Sequence, residues 1–429
     1  MTGSTAIVSP GVVQGRMPAP PSKSYTHRAL LAGFLAGRRY AVRNPNVGDD
    51  TLATLNGLEG LGAEVVRGTT RWEIDASGHR IPRSPPRVDC NSSGSTLRFL
   101  TALAATRATT VRFSGSNELA GRPIGGLLDS LARAGAHLEG PPRGRSLPFT
   151  ISGPVRPGSF RTPVDLTSQY LSSMLMVLPT LPGESVVRPV GRSVSAPYIE
   201  ATLAVLQAHR VDVVRSPGSY VVPGNQEYSG RVFEVPGDAS SAAYLWSAAA
   251  VTGGEVTVTR WNDRWPQGDR RILELLDAAG ARVRRSSHAV RVRGPIERGF
   301  RIDLTDAPDL LPLAGVIGAL APKGRTELLG AAHARFKESN RRRETCRLAR
   351  AFSARVHASG RAIRIEPGGP PSRVRLRGPA DHRLVMSGAV GALALRAPSE
   401  ISYARSVGKS FPEFWRSLQR LGSEVRFGP

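Results

Sequence analysis

Only four of the 58 basic residues in this 429-residue chain are lysine: Lys23, Lys323, Lys337 and Lys409. A position that keeps lysine against such an arginine bias needs a compact ammonium, or a proton that can leave. Three of the four stand among hydroxyl, carboxylate and guanidinium side chains. Lys23 opens KSYTHR with Ser24 and Arg28, Lys337 stands in FKESNR with Glu338 and Arg341, and Lys409 lies in GKSFPEFW. Similar groups recur along the chain: Ser92, Ser93, Gly94, Ser95 and Arg98 in SSGSTLR; Arg122 in GRPI; Thr167, Ser168 and Gln169 in TSQY; Asp309 in APDLLP; Asp381, His382 and Arg383 in DHR. Guanidinium forks grip phosphates and carboxylates bidentately. Carboxylates and ammonium groups beside them can take and return protons. This cationic set with a few carboxylates suits a doubly anionic substrate pair better than a polymer. Lys323, in APKGRTE, reads as a turn residue and no more.

The elements that must position these groups repeat six times. A helix end running into a strand reads GLEGLGAEV, SLARAGAHL, VLQAHRVDV, LLDAAGARV, LARAFSARV and SLQRLGSEV. The equivalent positions are Gly62, Gly135, Arg210, Gly280, Ser353 and Gly422, at intervals of 69 to 75 residues. A glycine just past a helix caps it in the left-handed conformation. In phase with these ends, hydroxyl or Asp clusters precede apolar helices at Ser24, Ser93, Ser168, Ala239, Asp309 and Asp381. Ser, Thr and Asp there satisfy the free amides of the first turn. In the first copy Leu30, Leu31, Phe34 and Leu35 form an apolar stripe, and Gly37 ends the helix. Each unit of about 70 residues thus holds two helices and several strands, and six units make an α/β protein of two globules. A single polar helix start is an ordinary cap. Six in register, facing one cleft, would bind phosphates.

Composition narrows the function classes. The net charge is +24, yet it is diffuse, with no basic tail. Aromatics make up 6%, too few to offer base-stacking platforms. Both facts argue against nucleic acid. No apolar run reaches the roughly 18 residues of a membrane span. The N-terminal MTGSTAIVSPGVVQGRM does not read as a signal peptide. Cys90 and Cys346 lie outside any zinc-ligand spacing and read as buried apolar groups of a reduced, cytoplasmic protein. No metal site is expected. His27 and His79 read as satisfied or surface histidines.

Ten motifs carry a resemblance: PPSKSYTHRALLAG, SSGSTLRFL, GRPI, TSQYLSSMLM, APYIEATL, PGDASSAAY, APDLLP, FKESNR, DHRLVMS and GKSFPEFW, in order from about residue 18 to residue 422. In them the chain resembles the enolpyruvyl transferases, in particular the branch that acts on shikimate 3-phosphate. The resemblance implies an inside-out α/β barrel type of fold. It has two domains, each a threefold repeat of α/β units, with the site in the cleft between them. Residues 1–18 and 237–429 would form one domain and 19–236 the other. The implied reaction adds the 5-hydroxyl of shikimate 3-phosphate to phosphoenolpyruvate and then expels phosphate, without metal or organic cofactor. It implies Lys23, Asp309 and Glu338 as catalytic groups. Phosphoenolpyruvate would be bound by Lys23, Gly94, Arg122, Gln169, Arg341, Arg383 and Lys409. Shikimate 3-phosphate would be bound by Lys23, Ser24, Arg28, Thr167, Ser168, Gln169, Ser195, Tyr198, Asp309, His333 and Lys337. Ser92, Ser95 and His382 would support them. A monomer is expected.

Five positions depart from the usual family pattern: Ser92 stands for Asn, Ser95 for Thr, Thr167 for a Ser whose hydroxyl it keeps, Asn340 for Asp beside Arg341, and His333 for an Asn upstream of Lys337. They leave open a second reading, an enolpyruvyl transferase acting on another hydroxyl, such as a nucleotide or a sugar. A remoter one is a non-catalytic relative that binds an anion or nucleic acid. Within ARFKESNRRRET, Lys337, Glu338 and Arg341 read as pocket residues and Arg342 and Arg343 as a solvated helix face.

Overall fold

The structure is a computed structural model that describes residues 4–78, 85–140 and 146–428. His79 lies outside them. All six repeat positions adopt a left-handed backbone: φ is 100° at Gly62, 106° at Gly135, 55° at Arg210, 102° at Gly280, 64° at Ser353 and 96° at Gly422. The hydrogen bonds repeat too. The Gly62 amide bonds the Glu59 carbonyl at 2.9 Å, and the Ala63 amide reaches back to Leu58 at 3.1 Å. Arg210 and Val211 do the same to Gln207 and Leu206, at 3.1 and 3.0 Å. Each motif closes a helix: Asp49–Gly60, Gly125–Arg133, Pro197–Ala208, Arg271–Ala278, Arg341–Ala351 and Phe414–Arg420. Each then launches a strand: Glu64–Arg67, His137–Glu139, Val214–Ser216, Arg282–Arg285, Arg355–Ser359 and Val425–Gly428.

The second helix of each repeat is the buried one. These helices are Lys23–Leu35, Gly94–Ala105, Gln169–Val177, Ala239–Thr252, Leu311–Leu320 and His382–Ala392. The first is buried from Tyr25 to Phe34 without a break. The expected single stripe is therefore wrong for this helix, because it is covered on every side. Close packing of the buried helices needs small residues. A Cβ on Gly391 would lie 2.5 Å from Phe352 and 2.7 Å from Val316.

Among the described residues the strands form six four-stranded sheets, each with one parallel and two antiparallel contacts. Alternate residues point to solvent and to the helices, as in Arg-Trp-Glu-Ile-Asp at Arg71–Asp75, where Trp72 and Ile74 are buried. The chain divides into two compact units, residues 1–20 with 236–429 and residues 21–235. Three sheets belong to each. In the first unit, helices Ala239–Thr252, Leu311–Leu320 and His382–Ala392 pack on one another. In the second, Lys23–Leu35, Gly94–Ala105 and Gln169–Val177 do so.

Three sheets are completed from distant parts of the sequence, one of them by strand Val232–Glu234 in parallel with Tyr40–Arg43. Strand Gln14–Pro18 pairs in parallel with Glu255–Thr259, and all of residues 21–235 are inserted between them. Strand Thr5–Val8 sits between Ser399–Ile401 and Val425–Gly428. No helix of the described residues is long and apolar enough to cross a membrane. Cys90 and Cys346 are buried free thiols, and burial pushes both up from the usual thiol range.

Candidate active site

In the 21–235 unit the polar groups gather at the starts of the buried helices. Lys23 is the first residue of its helix, and its ammonium meets Asp50 Oδ2 at 2.7 Å. The Ser24 hydroxyl is 3.4 Å from that of Ser22. Arg28, one turn on, is buried and donates to Thr202 Oγ1 at 2.9 Å, the Ser24 carbonyl at 2.9 Å and the Tyr198 carbonyl at 2.8 Å. Burial pushes its guanidinium down to about 10. His27 is buried behind them, bonded to Thr54 at 2.7 Å. Burial, then Lys23 and Arg28, hold it well below the usual imidazole range. It is a neutral core histidine, but only Nδ1 is bonded: its buried Nε2 has no hydrogen-bond partner among the described residues, so the satisfied reading holds for one ring nitrogen alone.

Ser93 caps the second helix by accepting from the Thr96 amide at 3.1 Å. Ser92 faces Ser116 at 3.0 Å. A Cβ on Gly94 would sit 2.4 Å from Arg98 Nη1 and 3.0 Å from the Arg122 guanidinium carbon, so glycine lets two guanidinium groups close on this helix start. Gln169 is clamped at both ends. Its Oε1 accepts from Arg98 at 2.8 Å and its Nε2 donates to Ser95 at 2.9 Å. Thr167 Oγ1 accepts from the Gln169 amide at 3.2 Å. Ser168 is buried at the N-cap without a side-chain cap bond, so the capping role expected for this hydroxyl is not the one it has. Ser195 takes a left-handed φ of 57°, and its carbonyl accepts from the Tyr198 amide.

In the other unit Asp309 is the hub. It lies in a 3-10 turn, Pro308–Leu310, ahead of the buried helix. Its Oδ1 meets Arg341 Nη1 at 2.6 Å and Lys337 Nζ at 3.3 Å, and its Oδ2 meets Arg383 Nη2 at 3.0 Å. Burial opposes its charge, but Lys337, Arg383 and Arg341 outweigh this and hold the carboxyl well below its usual range. Arg341 is 1% exposed and is gripped by three carboxylates: Asp381 at 2.9 and 3.1 Å, Asp309, and Glu338 at 2.5 Å. The Ser339 hydroxyl also donates to Asp381, at 2.8 Å. His333 is buried; burial and then Lys337 push it down to about 4, so it is a neutral imidazole. His382 and Lys409 are buried as well, Lys409 at the end of the 3-10 stretch Ala404–Lys409. Lys323 lies exposed in an irregular bend.

Two pairings are not visible in the sequence. The cations of this cluster are matched by carboxylates: Asp309, Glu338 and Asp381 face Lys337, Arg341 and Arg383. By sequence Asp381 reads only as a helix opener. Likewise Asp50, the partner of Lys23, carries only the signal of an acidic pair at a helix start. Asn340 has a local structural role as well, since its side chain caps helix Arg341–Ala351 by accepting from the Arg343 amide at 3.1 Å. Arg343 is exposed, whereas Arg342 also donates to the carbonyls of Ser359 and Ala362.

Cations at helix N-termini oppose the helix dipole, which favours negative charge there. Lys23 and Arg341 are first residues, and Arg383 is the second. Each is balanced by a carboxylate, and an incoming anion would meet both the dipole and the cation. Residues 7–418 match the family model for EPSP synthase (3-phosphoshikimate 1-carboxyvinyltransferase). The chain belongs to the EPSP synthase family. It is 35% identical to the 3-phosphoshikimate 1-carboxyvinyltransferase of Methanocorpusculum labreanum, over 98% of this chain and 99% of the relative. It is 36% identical to that of Thermococcus kodakarensis, over 95% and 98%. Among solved structures the EPSP synthase of Acinetobacter baumannii superposes with a TM-score of 0.81 at 23% identity, covering 99% of this chain and all of the other. The enolpyruvyl transferase NikO from Streptomyces tendae gives 0.76 at 16% identity, with each chain covered in full. The α/β repeat fold is thus the fold of EPSP synthases.

Proposed function

We propose that this EPSP synthase family member transfers the enolpyruvyl group of phosphoenolpyruvate to the 5-hydroxyl of shikimate 3-phosphate and releases phosphate, a step of aromatic amino acid biosynthesis. The observation that carries the reading is the family match along nearly the whole chain, with relatives above one-third identity that bear this activity in their names. Transfer to another hydroxyl is less favoured, since the likeness to NikO rests on 16% identity and speaks for fold alone.

The residue roles follow from the chemistry. Addition needs a proton delivered to the methylene carbon of phosphoenolpyruvate and one removed from the attacking hydroxyl. Elimination reverses both, so groups that work in either direction are required. Asp309, held ionised by three cations, accepts a hydrogen bond from the acceptor hydroxyl. Glu338 and Lys23 exchange the other proton. Arg122, Arg341, Arg383 and Lys409, with Gly94 and Gln169, serve the phosphate and carboxylate of phosphoenolpyruvate. Ser24, Arg28, Thr167, Ser168, Ser195, Tyr198, His333 and Lys337 serve the acceptor, and Ser92, Ser95 and His382 support these groups. In this reading both units serve one substrate pair, in a cytoplasmic monomer.

The test is phosphate release from phosphoenolpyruvate with shikimate 3-phosphate. Loss of one acid–base group costs about 10²–10⁴ in kcat, so Glu338→Gln is expected to fall into that range with its fold intact. Full turnover in Glu338→Gln would remove that residue from the mechanism. No turnover by the wild-type protein would remove the acceptor.

A further inference from the structure

A cavity of about 280 Å³ is lined by none of the residues assigned above to either substrate. All of its lining belongs to the unit of residues 1–20 and 236–429. Helix Arg341–Ala351 contributes Glu344, Arg347, Leu348 and Ala351, the i, i+3, i+4, i+7 spacing of one helix face. The edge strand Arg375–Leu376 and residues 377–379 after it contribute a second part. Leu384 and Val385 come from helix His382–Ala392, and Ile401 from strand Ser399–Ile401. Leu348, Leu384, Val385 and Ile401 are buried core residues, so part of the lining is apolar. A Cβ on Gly388 would lie 2.3 Å from Leu376. Glycine there lets that leucine lie against helix His382–Ala392, and the space beside it stays open.

The charged part of the lining is three guanidinium groups and one carboxylate. The carboxylate, Glu344, is buried, and its two oxygens meet Arg343 at 2.8 Å and Arg347 at 3.2 Å. Arg375 meets Glu400 at 3.1 Å. Arg347 and Arg375 are both exposed, and exposed ion pairs hold weakly. Arg377 is exposed too, and it has no hydrogen-bond or ion-pair partner among the described residues. The cavity therefore offers one uncommitted guanidinium, two that exchange partners at little cost, and a carboxylate whose charge is already matched.

We propose that this cavity binds a small organic anion with an apolar body, a carboxylate that carries one ring. The ring displaces water from Leu348, Leu376, Val385 and Ile401, which supplies affinity. The carboxylate takes the fork of Arg377, with Arg347 or Arg375 turning from its own partner to join it, which fixes the orientation. The volume lies just below the roughly 300–1,000 Å³ of pockets for drug-sized ligands, so one ring and a short chain fill it. An inorganic anion would leave the apolar wall wet. A neutral ring compound would leave Arg377 unanswered.

The probe is 3-phenylpropionate, titrated into the full-length protein by calorimetry. The expected Kd lies between about 0.1 and 3 mM, the range for a ligand of this size. Arg377→Gln is expected to weaken binding by about tenfold or more, the value of a charge-assisted hydrogen bond. Ala351→Phe fills the cavity and abolishes binding without touching the charge. The amide of the same acid keeps the shape and loses the charge, and is expected to bind wild type about tenfold weaker. Arg377 is exposed, so its variant keeps the fold and serves where Ala351→Phe does not. Phosphate release from phosphoenolpyruvate is expected to be unchanged in Arg377→Gln, which places its loss of binding at the cavity and not at the Asp309 cluster. No binding of 3-phenylpropionate by wild type up to about 20 mM, well above that range, overturns the proposal. So does binding that is equal in wild type and Arg377→Gln, or equal for the acid and its amide.

Discussion

Arg341 illustrates how a buried cation can be fixed by its surroundings. Three carboxylates use its donors, and burial, which alone would disfavour its charge, is outweighed by Asp381, Glu338 and Asp309, which raise it above its usual range. Removing one partner from such a network strands the rest, at a cost of about 3–5 kcal/mol. Asp381→Ala is expected to destabilise the protein by that order in urea unfolding. The pH dependence has a definite sign. Asp309 holds its proton less tightly folded than unfolded. Its contribution to stability is thus full above the unfolded carboxyl range near ~4 and is lost as pH falls through the folded value. Asp309→Asn should be less stable than wild type at neutral pH, and its stability should decline less below about pH 4. Chemical unfolding curves across pH check both. At this scale the sequence is informative about residue type and poor about pairing. The lysines stand out because arginine fills nearly every other basic position. That Asp50 meets Lys23 and Asp381 meets Arg341 depends on contacts across 27 and 40 residues, which no local pattern encodes.

At the scale of elements the sequence is most legible, because the helix-to-strand turn imposes one backbone state wherever it occurs. The glycines at 62, 135, 280 and 422 mark a left-handed residue by type, and the spacing locates its counterparts Arg210 and Ser353 where type gives no sign. A left-handed conformation costs a residue with a Cβ roughly 1–2 kcal/mol. Arg210 is exposed and shares the hydrogen bonds of its glycine counterparts. Arg210→Gly should therefore stabilise the protein, by about 1 kcal/mol after the entropy glycine adds to the unfolded chain. An unchanged or lower Tm would show that the side chain does something the repeat does not require. Helix starts are less uniform. Ser93 and Asp381 cap as expected, but Ser168 does not, and Asp309 sits in a 3-10 turn with its carboxylate committed to cations. Asn340→Ala removes a cap that the family's usual Asp could also supply, and should cost about 1 kcal/mol with kcat nearly unchanged.

For the whole molecule, the repeat count foretells six α/β units, and the six sheets answer to it. Which strand completes which sheet is beyond periodicity, because three sheets borrow a strand from far away in sequence. The 21–235 unit has its own three sheets and buried helices, and the chain enters and leaves it at one place, where the Asp238 amide bonds the Pro20 carbonyl at 2.7 Å. A fragment of residues 21–235 is expected to fold alone and to unfold in one cooperative transition by circular dichroism. A fragment that stays unfolded would mean that this unit depends on the rest of the chain. The same insertion sets a timetable at the ribosome. Strand Thr5–Val8 is made long before its neighbours Ser399–Ile401 and Val425–Gly428. At about 5–20 residues per second it waits roughly 20–80 s for them. Residues 21–235 can be complete long before. Strand Thr5–Val8 thus goes without its partners while the whole inserted unit is made, and it can pair only once the chain has reached Ser399–Ile401 and Val425–Gly428.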